Sequence, residues 1–296
     1  AWVGVGPIIA KALADHGARV VACGRSAERL NPIVEALRAS GAQATACVAD
    51  AAEADGADRI VSSTLDAFGS IDILVNSTGG KVPRPIQDCT EEDYDYSVRT
   101  QLRAPFLVTA RVARQMIHAG RGGRIINLCG GAAVRALPGE SLHAATKGAV
   151  LAATLCWAAE LEQFDITVNA VRGGVRSPGV AELIASIRER MNAPATVTDR
   201  ELGFFEPDEA APLIAWLASD AARAITGQFI GIDGPKLTVW AQAQTSVEIL
   251  SRDGWSVSDL VEFATAPLLQ ETVRSHANEQ VNATLKYARP AGNQSA

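Results

Sequence analysis

The sequence predicts an α/β protein whose sheet is doubly wound, with parallel strands covered by helices on both faces. Short apolar runs bounded by turn residues, which are typical of buried strands, alternate with longer segments of helical periodicity. The strands are predicted at 18–23, 43–49, 71–76, 123–129 and 167–171. A chain of 296 residues, 48% of them apolar, is long enough to build one large domain around such a sheet.

The composition argues against some kinds of binding partner. A formal net charge of −6 argues against binding to nucleic acid or to an anionic membrane surface. The longest nearly unbroken apolar run, 148–159, is about half as long as a membrane span, so we expect a packed helix there. Five cysteines without a C-x-x-C pair favour a reducing cytoplasm over a disulfide scaffold, and no metal site is predicted.

The first element is a glycine turn, Gly4-Val5-Gly6, and Pro7 suits the first turn of the helix that follows. The next strand ends at Gly24-Arg25-Ser26. In dinucleotide-binding folds an acid at this strand end binds the ribose 2′-hydroxyl, whereas an arginine accommodates a 2′-phosphate. A plain turn and a solvated arginine at a helix start are the alternative interpretations.

Two polar side chains on one helix face form the candidate reaction centre. The strand 123–129 leads through a short loop to a helix that opens near Ser141. His143 and Lys147 are four residues apart on that helix, so they share a face. Upstream, a capping box at 90–93 opens another helix, which carries Gln101 and Pro105. Pro105 has no N–H for the carbonyl of Gln101, so a kink or a freed carbonyl is expected there.

These segments resemble the short-chain dehydrogenase/reductase family over roughly residues 1–235. The family's active-site segment reads serine, twelve residues, tyrosine, three residues and lysine. The spacing fits here, with Gly130 in the place of the serine, His143 in the place of the tyrosine, and Lys147 matching. Gln101 stands where the family has an asparagine. The resemblance implies a Rossmann-like fold, a nicotinamide cofactor and a small-molecule substrate.

The resemblance also implies a cofactor site. Gly4 and Gly6 match the end of the family's glycine fingerprint, Asp50 its aspartate beside the adenine, and Asn76 and Gly79 its Asn-Asn-Ala-Gly element. Because Gly24 stands at the acid's place and Arg25 follows it, NADP(H) is favoured over NAD(H). Asp50 is also open to interpretation as a helix cap. The expected cofactor-binding residues are Gly4, Val5, Gly6, Arg25, Ser26, Asp50, Asn76, Thr78, Gly79, Lys147 and Ser177.

The expected catalytic residues are Lys147, His143 and Gln101. In the family the tyrosine moves a proton to or from the substrate oxygen, the serine holds that oxygen, and the asparagine anchors a water relay. An imidazole is roughly 2 Å shorter than a phenol, judged from ordinary bond lengths. We therefore expect a water in the space left by Gly130 to close the gap. A surface or capping role for His143 is the alternative.

Three functions are open at this point. The first is an NADP(H)-linked oxidoreductase acting on a carbonyl or alcohol with non-standard or impaired catalysis. The second is a catalytically inactive relative that binds the cofactor or a partner, and the third is a lyase that uses His143. The resemblance implies a homodimer or homotetramer.

The domain organisation is expected to be one domain at 1–235 and an appended arm at 236–296. The family's first strand would precede Ala1, so the sequence lacks it, and we expect a gap between the strands at 18–23 and 71–76. Residues from Lys236 have β character, and the arm is expected to fold against the sheet edge or a neighbouring subunit.

Overall fold

A computed structural model describes residues 5–80, 82–134, 139–172, 181, 184–185, 188, 194, 196–200, 206–233, 236–242 and 256–258. Its helices and strands alternate along most of the chain. The helices are α1 (Gly6–Asp15), α2 (Ala27–Ala39), α3 (Ala54–Phe68), α4 (Glu91–Val98), α5 (Ala104–Ala119), α6 (Ser141–Leu161) and α7 (Pro207–Leu217). The strands are β1 (Val20–Gly24), β2 (Ala44–Val48), β3 (Ile73–Asn76), β4 (Gly123–Cys129), β5 (Ile166–Arg172), β6 (Phe229–Asp233) and β7 (Lys236–Trp240).

The strands form two separate sheets. β1 and β2 pair in parallel, and the second sheet has the order β3-β4-β5-β6-β7. The ladders β3-β4, β4-β5 and β5-β6 are parallel, whereas β7 is antiparallel to β6. Among the described residues no strand lies between β1 and β3, so the interruption that the sequence predicts between them is confirmed.

Helices cover both faces of the larger sheet, as the doubly wound prediction requires. Ile125 of β4 and Val168 of β5 pack into a core with α3, α5 and α6. Ile126, the next residue of β4, points to the opposite face and packs with α1 and α7 around Leu217. This alternation is that of a strand buried on both sides, which explains why β4 and β5 are apolar almost throughout.

The strand β7 extends the sheet beyond the last parallel strand. It pairs with β6 over its whole length, and Trp240 stacks against Phe229 with ring centroids 4.5 Å apart. The expectation that the arm folds against the sheet edge is therefore met by 236–240. The rest of that arm lies outside the described residues except for 241–242 and 256–258. No helix in the described part of the chain is long and apolar enough to span a membrane.

Candidate active site

The candidate site lies where the parallel strands end. The segments after β1, β2, β3 and β4 carry Arg25, Asp50, Thr78 and Gly130, whereas His143 and Lys147 lie on helix α6. The carboxyl ends of parallel strands open onto one edge of a sheet. Helix α6 runs back from that edge and packs on β4 and β5.

Lys147 and His143 are both buried on α6, at 7% and 9% exposure. The ammonium of Lys147 donates to the carbonyl oxygens of Thr78, 3.3 Å away, and Leu128, 3.0 Å away. These bonds tie α6 to the ends of β3 and β4. Burial raises the pKa of the neighbouring Cys129 thiol to about 11, although the charge of Lys147 opposes the shift. Cys129 is therefore a packed thiol and not a nucleophile at neutral pH.

A fully buried glutamine fixes the imidazole. The amide Nε2 of Gln101 donates to the carbonyl oxygen of Gly80 at 2.7 Å, and its Oε1 lies 2.6 Å from Nδ1 of His143. A carbonyl oxygen only accepts, so the amide must present Nε2 to Gly80 and Oε1 to His143. Nδ1 of His143 therefore carries the proton, and in the neutral ring Nε2 is the basic nitrogen. His143 is buried and held, which excludes the surface-residue interpretation.

The backbone that carries Gln101 is irregular. Residues Arg99–Arg103 form a π-helical turn between α4 and α5, in which the N–H of Ala104 bonds the carbonyl of Arg99. Pro105 follows directly and cannot donate to the carbonyl of Gln101, which accounts for the break in the regular pattern. The expected kink is thus a π-turn, a feature often found at functional sites.

Gly130 and His143 are packed against each other. A Cβ built on Gly130 would stand 2.9 Å from Nε2 of His143, closer than real side chains come. The backbone of Gly130 is extended, with φ −99° and ψ 164°, so any residue could adopt it and only the imidazole stands in the way. The imidazole approaches the space left by Gly130, and a water there that bridges Nε2 to a substrate oxygen stays a prediction.

Asn76 braces the sheet beneath the site. Its Nδ2 donates to Oγ1 of Thr109 at 2.9 Å and to Oδ1 of Asn127 at 2.8 Å. Nδ2 of Asn127 donates to Oγ1 of Thr154 at 2.9 Å, and the Thr154 hydroxyl donates to the carbonyl of Val150 at 2.8 Å. This buried network joins β3, β4, α5 and α6, so the role visible in the described residues is structural support.

Asp50 follows β2 and is held by donors. It accepts from the N–H of Ala52 at 3.0 Å and from the guanidinium of Arg99 at 2.9 Å. Burial alone would raise the pKa of this carboxyl, but the two bonds, helped by the charge of Arg25, keep it below its ordinary value. The helix-cap interpretation of Asp50 is wrong, since the N-cap residue of α3 is Glu53.

The remaining nucleotide-side residues border open space. Arg25 is exposed at the end of β1, and Ser26, the N-cap residue of α2, donates its hydroxyl to Glu28. A Cβ on Gly6 would meet nothing within 4 Å, and one on Gly79 would come no nearer than 3.9 Å to the Lys147 ammonium. Val5, by contrast, packs into the core beside α7. Gly4 and Ser177 lie outside the described residues.

The structure thus brings together Thr78, Gly79, Gln101, His143 and Lys147, with Asn76 behind them. Because a Cβ on Gly6 or Gly79 would meet no atom nearer than 3.9 Å, a ligand could approach the backbone at both glycines, as a dinucleotide requires. Sequence reasoning missed the part that Gly80 plays as the acceptor for Gln101. Because Gly80 directly follows the predicted site residue Gly79, its backbone could have been expected near the site.

Comparisons with known proteins identify the family of this chain. The family described as enoyl-(acyl carrier protein) reductase matches residues 1–234. The chain is 33% identical over 233 residues to 3-oxoacyl-(acyl-carrier-protein) reductase FabG of Thermotoga maritima, covering 78% of this chain and 92% of that protein. It is 34% identical over 234 residues to 3-oxoacyl-(acyl-carrier-protein) reductase of Synechocystis, with coverage of 78% and 92%.

Solved structures are similar over the same region and beyond. A short-chain dehydrogenase from Mycobacterium avium superposes with a TM-score of 0.74 at 25% identity, covering 97% of this chain and 93% of that one. A gluconate 5-dehydrogenase from Burkholderia cenocepacia, in complex with NADP and tartrate, has a TM-score of 0.70 at 29% identity, with coverage of 78% and 90%. With its parallel sheet, its Lys147 and these matches, the chain belongs to the short-chain dehydrogenase/reductase family of oxidoreductases.

Proposed function

We propose that the protein is an NADP(H)-linked oxidoreductase that interconverts a carbonyl compound and an alcohol, with His143 in the place of the family's tyrosine. The observation that carries this proposal is the 2.6 Å bond between Nδ1 of His143 and Oε1 of Gln101. It fixes the ring so that Nε2 is the atom that exchanges a proton. A buried, oriented imidazole with one defined reactive nitrogen is the usual form of a general acid–base group.

The chain's residues divide the work as follows. A bound nicotinamide supplies or accepts the hydride. In reduction, the charged ring of His143 donates the proton on Nε2 to the substrate oxygen and becomes neutral, while Nδ1–H stays on Gln101. In oxidation the neutral Nε2 accepts the proton. Lys147 holds α6 against the loop of Thr78 and Gly79, which lines the cofactor side.

Catalysis is proposed to be impaired. Gly130 offers no hydroxyl to the oxygen on which charge develops, and the loss of one such donor costs about 3 kcal/mol, or a hundredfold or more in rate.

The proposed cofactor is NADP(H) rather than NAD(H). Gly24, at the end of β1, has no carboxylate to bind a ribose 2′-hydroxyl, and the exposed Arg25 follows it. The similar gluconate 5-dehydrogenase binds NADP, which supports the same preference here.

The proposed assembly is a homodimer or homotetramer. Phe106 on α5 is 51% exposed, and its ring lies 5.6 Å from that of Trp157 on α6. An aromatic pair on two adjacent helices is the kind of surface that another subunit covers. Light scattering gives the mass, and Phe106→Asp should reduce it to that of a monomer.

A second candidate function is a catalytically inactive relative that binds the cofactor. The observation in its favour is that the imidazole closes on Gly130, where a serine would otherwise hold the substrate oxygen. Both candidate functions require NADPH to bind, but only the oxidoreductase turns over a substrate.

The experiment measures NADPH binding by fluorescence and reduction of an activated ketone such as trifluoroacetophenone. Wild-type protein is compared with His143→Ala and with His118→Ala, a control in the last turn of α5. We expect NADPH binding by all three and slow turnover that only His143→Ala removes. Binding without turnover in the wild type favours the inactive relative, and turnover that survives His143→Ala refutes the assigned acid. Failure to bind NADPH contradicts both functions.

A further inference from the structure

Arg172, the last residue of β5, is a cation inside the molecule. Its exposure is 5%, and all seven residues of the strand are buried. Burying a guanidinium costs free energy that a neutral side chain would not. The neighbours of Arg172 indicate why a cation stands at this place.

Arg172 lies on the same face of the sheet as the candidate site. It is in register with Cys129 on the neighbouring parallel strand, so the two side chains project from one face. The thiol of Cys129 lies 3.8 Å from the backbone oxygen of Lys147 on α6. The face that carries Arg172 is thus the face covered by the helix of His143 and Lys147.

The side chains of His143 and Arg172 approach two consecutive glycines, Gly130 and Gly131. A Cβ on Gly130 would stand 2.9 Å from Nε2 of His143, and a Cβ on Gly131 would stand 3.1 Å from Nε of Arg172. Consecutive Cα atoms are about 3.8 Å apart, so the two side chains approach neighbouring positions of the chain just after β4. Trp240 backs the guanidinium, whose carbon lies 5.8 Å from the ring centroid.

We propose, building on the proposed function, that Arg172 determines specificity by binding a carboxylate of the substrate. The substrates are then short oxo acids and the corresponding hydroxy acids, with the reacting oxygen at His143 and the carboxylate at Arg172. A guanidinium matches a carboxylate in a planar, two-point contact. It has five N–H donors, so it holds a carboxylate while keeping its other contacts.

Matched pairs of substrates test this assignment. Reduction by NADPH is measured for 2-oxobutanoate, 3-oxobutanoate and 4-oxopentanoate, and for the methyl ester of each. Binding of the same compounds is measured by calorimetry with and without NADP⁺, which gives a result that does not depend on turnover. The variants are Arg172→Gln, Arg172→Lys and Arg124→Gln. Arg124 is the matched control. It is a buried arginine near the start of β4, at the end of that strand away from Cys129, and it donates to Asp220.

We expect at least one acid to be preferred to its ester by about a hundredfold or more, because a site built for a polar group rejects the analogue that lacks it. Arg172→Gln should remove that preference and Arg124→Gln should keep it. An ester used or bound as well as its acid, an unchanged preference in Arg172→Gln, or no binding of any acid overturns the assignment. Acid binding that depends on Arg172 in a protein without turnover upholds it, while the proposed redox function fails.

Arg172→Lys covers the case in which the glutamine variant does not fold, as judged by thermal melting. Lysine keeps the charge but cannot form the two-point contact, so affinity for the acid should fall about tenfold. An affinity equal to that of the wild type would overturn the assignment on its own.

Discussion

Nε2 of His143 lies 2.9 Å from the place that a Cβ would take on Gly130. The two substitutions relative to the family's serine and tyrosine are therefore one structural change. The ring is also fixed on its other side, since Nδ1 is bonded to Gln101. It cannot retreat from Gly130 without breaking a buried hydrogen bond.

A side chain at Gly130 is predicted to destabilise the protein while His143 is present. Gly130→Ala should lower the free energy of unfolding by about 1–3 kcal/mol, the usual cost of overfilling a packed site. In a His143→Ala background the same change should cost much less, because the colliding ring is gone. Denaturant unfolding of the four proteins in this cycle measures the coupling. Equal costs in both backgrounds would show that the two residues do not collide.

Gln101→Met is predicted to loosen the imidazole. Methionine is similar in length but bonds neither the Gly80 carbonyl nor Nδ1 of His143. The buried Nδ1 then loses its partner, at about 1–3 kcal/mol, and the half-buried Gly80 carbonyl loses less. Stability and turnover should both fall while NADPH affinity changes little. Gln101→Glu is the informative companion, because a carboxylate at Nδ1 favours the charged ring. Reduction should then persist to higher pH, and an unshifted pH profile would mean that His143 is not the proton donor.

Much of the fold could be predicted because local patterns and packing agree. The bounds of β4 are as predicted, since glycines flank an apolar run that is buried on both faces. β1 begins at Val20 rather than Ala18, because the N–H of Ala18 bonds the carbonyl of Leu13 and belongs to the end of α1. That bond closes a turn between two elements, and side-chain periodicity carries no signal for it.

The sequence predicted which residues form the candidate site, but it did not predict the contacts between them. Spacing places His143 and Lys147 on one helix face, and the family resemblance adds Gln101 to the same site. The bond from Gln101 to His143 depends on a π-turn and on two rotamers, which no motif records. Arg172 lies one residue beyond the strand predicted at 167–171, so only the register with Cys129 reveals that it faces the site.

Arg25 is predicted to set the cofactor preference. Arg25→Ala should lower NADPH affinity by about tenfold to a hundredfold, the range for a charge-assisted hydrogen bond, and leave NADH affinity nearly unchanged. Arg29→Ala, another exposed arginine on the following helix, is the control and should change neither affinity. Fluorescence titration with NADPH and NADH gives the affinity of each variant relative to the wild type, which is four ratios in all. Equal affinity of the wild type for NADPH and NADH would refute the preference.

The pair of Asp50 and Arg99 is predicted to contribute to acid sensitivity. The pKa of Asp50 is lowered in the folded protein, so its contribution to stability is present above the unfolded value of about 3.9 and is lost as pH falls through the lower folded value. Asp50→Asn should therefore cost about 1 kcal/mol near neutral pH and progressively less below about pH 4. Urea unfolding across this range measures the difference. Asp55→Asn, at an exposed position of α3, should show no such trend.

Restoring the family's hydroxyl pair is predicted to raise activity only when both positions change. Gly130→Ser alone brings a Cβ against Nε2 of His143, so it should lose stability and gain no activity. His143→Tyr alone leaves no serine to hold the substrate oxygen. The double change restores the family's pairing of serine and tyrosine and adds a donor worth about 3 kcal/mol, or a hundredfold or more in rate. Reduction of trifluoroacetophenone by NADPH should rise by that factor, with NADPH affinity nearly constant because Lys147 and the nucleotide loops are untouched. Gln101→Asn, added as a third change, should increase the rate further if the longer amide obstructs the phenol. Reduction that stays at background in the double variant, while NADPH still binds, would show that proton delivery is not what limits this site.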